Sequence, residues 1–212
     1  ELEHVRRRLA SELEQAAEIQ RQSLPARAPQ VPGLELAGFN ASCRTVGGDY
    51  YDFLAYPDGR VAVMVGDVCG KGMPAALLMM GLQARVQVLA AEPNPPAVVV
   101  DRLNRVLTAA ALNTRFISFF FALFDPPSGE LTYSNAGHNP PLLIRASGKV
   151  EWLTGGGPVL GIVPDACYEE VRCVLDSGDV AVLYSDGVTD ATNAQDEDFG
   201  EARLSKVLQL VH

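Results

Sequence analysis

The stretch "DYYDFLAYPDGRVAVMVGDVCGKGMPAALLMMGL", residues 49–82, decides the fold. Two runs of strand-forming residues, "DYYDFLAY" and "VAVMVG", flank Pro57-Asp58-Gly59, a turn signal between two strands. The second run is apolar on both faces and therefore belongs inside a covered sheet. It runs into Asp67, then a glycine-rich turn with one lysine, then "AALLMMGLQARVQVLAA". That last segment is apolar nearly all round and reads as a buried helix. Pro74 stands where a first helical residue belongs.

A strand, a glycine-rich turn and a helix are also the parts of a phosphate-binding loop. Spacing excludes that reading. A Walker loop needs G-x-x-x-x-G-K-[ST], whereas only three residues separate Gly66 from Gly70, and Gly72 takes the place of the Ser or Thr. In "GGGPVLG", Gly157 and Gly161 are one residue too far apart for the G-x-x-G of a dinucleotide fingerprint.

Outward from this stretch, Val99, Leu103, Val106 and Leu107 space a second, amphipathic helix. Strands follow in "FISFFFALFD", "ELTYSNA", "PLLI", "KVEWL", "YEEVRCVL" and "DVAVLYS", with "PPSG" and "ASG" as hairpin turns. "LELAGFN", residues 34–40, alternates as one more strand, and Leu204, Val207, Leu208 and Val211 mark a closing helix. Helices inserted into a mostly antiparallel strand series give an α+β class. Strands apolar on both faces predict two stacked antiparallel β-sheets flanked by helices, an α-β-β-α sandwich.

Residues 1–24 read as an N-terminal linker helix and residues 25–212 as the domain, joined by the stiff Pro25, Pro29 and Pro32 connector. Leu2, Val5, Leu9, Ala16 and Ile19 follow a three-four spacing that Glu12 interrupts. Either the helix lies on its own domain, or it ends a coiled coil from an upstream module. A chain opening in mid-helix is expected to be a piece of a longer protein.

The chain has 212 residues, 48% of them hydrophobic and 20% charged, so a core forms without disulfides or metals. The net charge is -9 and the one basic run is Arg6-Arg7-Arg8, which argues against nucleic acid. An acidic protein acting on anionic phosphate substrates would need local positive charge, and a bound metal is one way to supply it. The four cysteines form no C-x-x-C pair and the three histidines are scattered, so zinc is poorly supported. Few cysteines suit a reducing compartment. No apolar run reaches membrane-span length and the N-terminus is not signal-like, so a cytoplasmic location without a membrane is expected.

Asp67 has counterparts. Asp186 follows the apolar "VAVLYS" in Ser185-Asp186-Gly187, and Asp49 follows Gly47-Gly48 at the head of a third strand. An aspartate in a glycine turn often serves only its own backbone. Three in the same strand-end context point further, since a carboxylate at the mouth of an apolar sheet is costly unless paired or bound to a cation. Carboxylates without histidine or thiolate favour a hard ion, magnesium or manganese.

"VGGDYYD", "GDVCGKGMPAAL", "NAGHNPP" and "SDGVTDA", in this order, resemble the signature set of the PPM family of protein phosphatase 2C-like serine/threonine phosphatases, in its bacterial SpoIIE/RsbU-type branch. "ELEQAAEIQRQSLP" is similar to that branch's linker, and the likeness runs from about residue 13 to the end. The resemblance implies a site between two sheets holding two Mn²⁺ or Mg²⁺ ions. By motif, Asp49 is a metal ligand, Asp67 bridges both ions with the Val68 carbonyl beside it, and Asp186 holds one ion. It implies hydrolysis of phosphoserine or phosphothreonine by a metal-activated water. The implied substrate is a phosphorylated STAS-type anti-anti-sigma protein, with an upstream sensor or receiver domain and a homodimer through the N-terminal helix. Lys71 and Arg44 are candidates for the substrate phosphate.

Three features depart from the wider family. Cys69 stands where eukaryotic relatives carry a histidine, and is expected to pack. No motif places their phosphate-binding arginine, for which Arg44 is the stand-in. The family's closing Asp-Asp-x-Thr motif does not occur before His212, so one ligand is expected to be absent from this stretch. His138 of "NAGH" is expected to be structural, and "TGGGPVLG" to be a loop near the site mouth. A rival reading is a catalytically impaired module that binds a regulatory partner.

Overall fold

A computed structural model describes residues 2–110 and 115–211. Helix α1 spans Leu2–Ser23, and strands β1 (Tyr50–Ala55) and β2 (Val61–Val68) form the hairpin expected around Pro57-Asp58-Gly59. Helices α2 (Met73–Leu89) and α3 (Pro96–Ala109) follow, then β3 (Ile117–Asp125), β4 (Glu130–Ala136), β5 (Leu142–Ile144), β6 (Val150–Trp152), β7 (Val171–Val174) and β8 (Val180–Val182). Two helices close the chain, α4 (Asp186–Thr189) and α5 (Gly200–Val211).

The strands form a five-stranded sheet, β1-β2-β3-β4-β7, and a three-stranded sheet, β6-β5-β8, antiparallel throughout. The apolar run of β3 explains how they stack. Ile117, Phe119, Phe121 and Leu123 point to one side, against Met79 and Leu82 of α2 and Val99 and Leu103 of α3. Phe120, Ala122 and Phe124 point to the other, against Leu143 of β5 and Leu153 beyond β6. Each face of β3 is thus covered by a different layer, which is why its sequence does not alternate. On the far side of the small sheet, Leu142 and Tyr184 meet Leu204 and Leu208 of α5. The order is helix, sheet, sheet, helix, as expected.

Buried Asn104 of α3 pins the glycine-rich loop to this frame. Its Nδ2 donates to the Val163 carbonyl at 2.8 Å, and its Oδ1 accepts from the Gly161 amide at 2.9 Å.

Some expectations are corrected. "LELAGFN" forms no strand beyond an isolated bridge between Val31 and Leu34. A Cβ at Gly38 would lie 2.4 Å from the Tyr51 ring, so this segment crosses the side chains of β1 rather than following its backbone. Helix α2 buries Ala75, Met79, Leu82 and Val86 but exposes Leu77 and Val88, because it forms the outer layer. Val106 of α3 and Val207 of α5 also face solvent, and the Val211 side chain lies outside the described residues. "DVAVLYS" and "YEEVRCVL" form strands only over their central residues. Among the described residues no helix is long and apolar enough to cross a membrane.

Candidate active site

Asp67 is the penultimate residue of β2, and Ser118 of β3 stands across from it. The β1–β2 register pairs Tyr50 with Gly66, and the Val68 amide donates to the Gly48 carbonyl, so Asp49 comes alongside Asp67. Asp186 arrives from the other sheet. It is not at a strand end, as the sequence reading had it, but is the first residue of the short helix α4.

The three carboxylates feel one another. Burial first, then the charges of Asp49 and Asp186, push the Asp67 carboxyl up to about 7, against the pull of the Val68 amide and Lys71. Asp186 is raised by burial, by Asp190 and by Asp49, with Lys71 again opposing. Like charges and desolvation thus outweigh the available cation. Among the described residues, no group of three or more His, Cys, Asp or Glu side chains is arranged to hold a metal ion as it stands.

Gly48 keeps this place open. A Cβ there would lie 2.7 Å from the Val68 carbonyl oxygen and 3.3 Å from Asp67 Oδ1. Beyond Val68 the chain turns through Gly70 (φ +102°) and Gly72 (φ +77°), a left-handed backbone that only glycine adopts freely. Exposed Arg44 overlies the turn, its Nη1 3.6 Å from where a Gly72 Cβ would stand. Arg115 also meets the turn, its Nη1 3.6 Å from where a Gly70 Cβ would stand. Arg44 and Arg115 thus meet the turn that carries Lys71, the cation that acts on Asp67 and Asp186. Cys69 is tied down: its amide donates to the Phe116 carbonyl at 3.0 Å, and its sulfur accepts from the Phe116 amide at 3.2 Å.

The sequence reading missed two members of this constellation. Asp190 was legible, since Asp186 and Asp190 are four residues apart, the spacing that aligns side chains on one helix face. Arg115 carried no local signal; it meets the turn only because β3 returns beside β2.

His138 is buried among hydrogen-bond partners, as the structural reading expected. Burial lowers its pKa from 6.5 to about 4, so the folded protein holds it neutral while the unfolded chain protonates it from about pH 6.5 down. The stabilisation is complete above that pH and is lost as pH falls towards 4, about 3 kcal/mol in all. We expect a melting curve followed from pH 7 to pH 4.5 to fall more steeply for the wild type than for His138→Gln. "TGGGPVLG" pairs Leu160 with Ile117, next to Ser118, and so closes the sheet end beside Asp67.

Comparison with known proteins agrees with this architecture. The family described as stage II sporulation protein E (SpoIIE) matches residues 57–212. The phosphoserine phosphatase RsbU of Bacillus subtilis is 32% identical over 190 residues, covering 89% of this chain and 56% of RsbU. The crystal structure of the RsbU and RsbW domains of Rv1364c from Mycobacterium tuberculosis superposes with a TM-score of 0.78 at 26% identity, over 90% of this chain and 53% of that one. The SiaA-PP2C domain of Pseudomonas aeruginosa shares the fold, with a TM-score of 0.77 at 22% identity, over 97% of this chain and 83% of that one. The chain thus spans little more than half the length of RsbU.

Proposed function

The chain belongs to the SpoIIE family, and from that premise we propose that it is a metal-dependent phosphoserine/phosphothreonine phosphatase domain acting on a phosphorylated STAS-type anti-anti-sigma protein. The observation that carries the reading is the convergence of Asp49, Asp67 and Asp186 at one end of the sheets, where burial and then the charges of Asp49 and Asp186 push Asp67 up to about 7. The donor set fits the ion: carboxylates and the Val68 carbonyl are hard oxygen ligands, suited to Mn²⁺ or Mg²⁺. A divalent charge offsets the burial and the repulsion that raise Asp67 and Asp186. A side chain at position 48 would crowd both the Val68 carbonyl oxygen and the Asp67 carboxylate.

Asp49, Asp67 and Asp186, with the Val68 carbonyl, would hold the ions. Bound there, the ions would activate water for attack at phosphorus and offset charge on the phosphoryl oxygens. Arg44, Lys71 and Arg115 draw the anionic substrate to the site and hold its phosphate oxygens. Phosphate release from such a phosphoprotein, dependent on manganese and on Asp67, tests the proposal.

The alternative is a catalytically impaired module that binds a regulatory partner. The absence of a ready-made ligand group among the described residues favours it. The same assay decides: the alternative gives partner binding without phosphate release at saturating manganese.

Helix α1 would couple an upstream sensor or receiver domain to the site. Buried Gln20 supports this, because its Nε2 donates to the Gly47 carbonyl at 2.7 Å and its Oε1 accepts from the Gly47 amide at 3.0 Å. Gly47 lies two residues before Asp49, so a shift of α1 pulls on the loop that carries a proposed ligand. Leu2, Val5, Leu9 and Ile19 stay exposed, an apolar stripe suited to a second copy of the helix. Deleting residues 1–24 is expected to change both oligomeric state, by sedimentation, and turnover; if neither moves, the coupling is wrong.

A further inference from the structure

The proposed ligands come from two sheets, and one buried side chain spans the gap between their supports. His138 Nε2 lies 3.1 Å from the Tyr184 carbonyl oxygen, and His138 Nδ1 lies 2.8 Å from the Ser118 hydroxyl. A carbonyl oxygen only accepts, so Nε2 carries the proton. The ring is neutral in its buried site, so Nδ1 accepts from the Ser118 hydroxyl. Donation therefore runs one way, from Ser118 through His138 to Tyr184.

The ends of this relay are what matter. Ser118 is the cross-strand partner of Asp67, and Tyr184 stands two residues before Asp186. The backbone of His138 is itself fixed. Asn135 Nδ2 donates to the His138 carbonyl at 2.9 Å, and Asn135 Oδ1 accepts from the His138 amide at 2.7 Å. The Asn135 carbonyl in turn accepts from the Gly157 amide at 2.7 Å.

We propose that His138 is a positioning residue: a neutral strut between the two sheets that sets the separation of Asp67 and Asp186, and through it the affinity of the site for a divalent cation. The proposal rests on reading those aspartates as metal ligands. His138 touches neither aspartate, so it acts through Ser118 and Tyr184. A histidine that merely filled the core would change stability and leave cation affinity alone, because the aspartates would hold their separation without it.

Calorimetric titration with Mn²⁺ alone, at a temperature where circular dichroism shows each variant folded, separates the two. His138→Asn keeps only the acceptor facing Ser118, whereas His138→Gln keeps a donor facing Tyr184. We expect His138→Asn to weaken manganese binding about tenfold and His138→Gln to restore it to within about threefold of wild type, the scale of losses behind metal ligands. Ser118→Ala, a small cut that keeps the variant folded should His138→Asn not fold, is expected to weaken binding about threefold. Unchanged affinity in these variants overturns the strut, as does an equal loss in His138→Asn and His138→Gln. A wild-type protein that takes up no manganese overturns the metal reading itself, and the strut with it.

Discussion

Asp67→Asn is expected to abolish manganese-dependent phosphate release while raising the melting temperature of the metal-free protein at pH 8. The two effects share one cause. In the metal-free fold, burial and the neighbouring Asp49 and Asp186 lift the Asp67 carboxyl to about 7 from its ordinary 3.8. Between those values the folded state binds a proton that the unfolded chain has released. This carboxyl's own contribution to stability is therefore full below pH 3.8 and is lost as pH rises through 7. A neutral amide removes that loss, so the variant's melting temperature falls less than the wild type's, or rises more, between pH 5 and pH 8. The same amide is a poor ligand for a hard cation, so turnover falls to background. Melting curves at pH 5 and pH 8, beside a phosphate assay, test both halves. A variant that loses turnover without gaining stability at pH 8 contradicts the electrostatic account of the site.

Gly156→Ala carries the largest expected cost to the fold. Gly156 sits at φ +129°, which L-residues rarely adopt, and an added Cβ would stand 1.9 Å from the Asn135 carbonyl oxygen. Two backbone segments must part to admit one methyl group. Positive-φ strain and this overlap together are expected to cost about 3 kcal/mol. For a chain of this size, that lowers the melting temperature by roughly 10 °C. The displaced residue is Asn135, which holds both backbone groups of His138, so manganese affinity is expected to drop in the folded fraction as well. Gly59→Ala is the control. Its φ is also positive, at +90°, but nothing lies within 4 Å of the added atom, so only the strain remains and the metal response stays intact.

Much of this architecture is legible in the residues because it is local or periodic. The hairpin over β1 and β2 follows from Pro57-Asp58-Gly59. The double-sided apolar run of β3 announces two covered faces, and hence the stacked sheets. The glycine context of Asp49, Asp67 and Asp186 marks all three before any contact is known. What fails does so for reasons of packing. The alternation in "LELAGFN" promises a strand, yet alternation does not say whether a neighbouring backbone or a tyrosine ring will lie alongside. The apolar surface of α2 promises burial on every side, yet its outer face, with Leu77 and Val88, is left to solvent. His138 is the clearest case of long-range meaning. Its partners stand 20 and 46 residues away, and only the stacking of the two sheets gives it two proposed ligand segments to join.

The central claim is that three aspartates from two sheets build a divalent-cation site that hydrolyses a phosphoserine or phosphothreonine ester. It is tested most directly by measuring inorganic phosphate released from a phosphorylated STAS-type protein, with manganese and then with excess chelator. The account predicts multiple turnovers with manganese, none with chelator, and none with folded Asp67→Asn under either condition. Turnover that survives the chelator, or a folded wild-type protein that binds the phosphoprotein at saturating manganese and releases no phosphate, would contradict it.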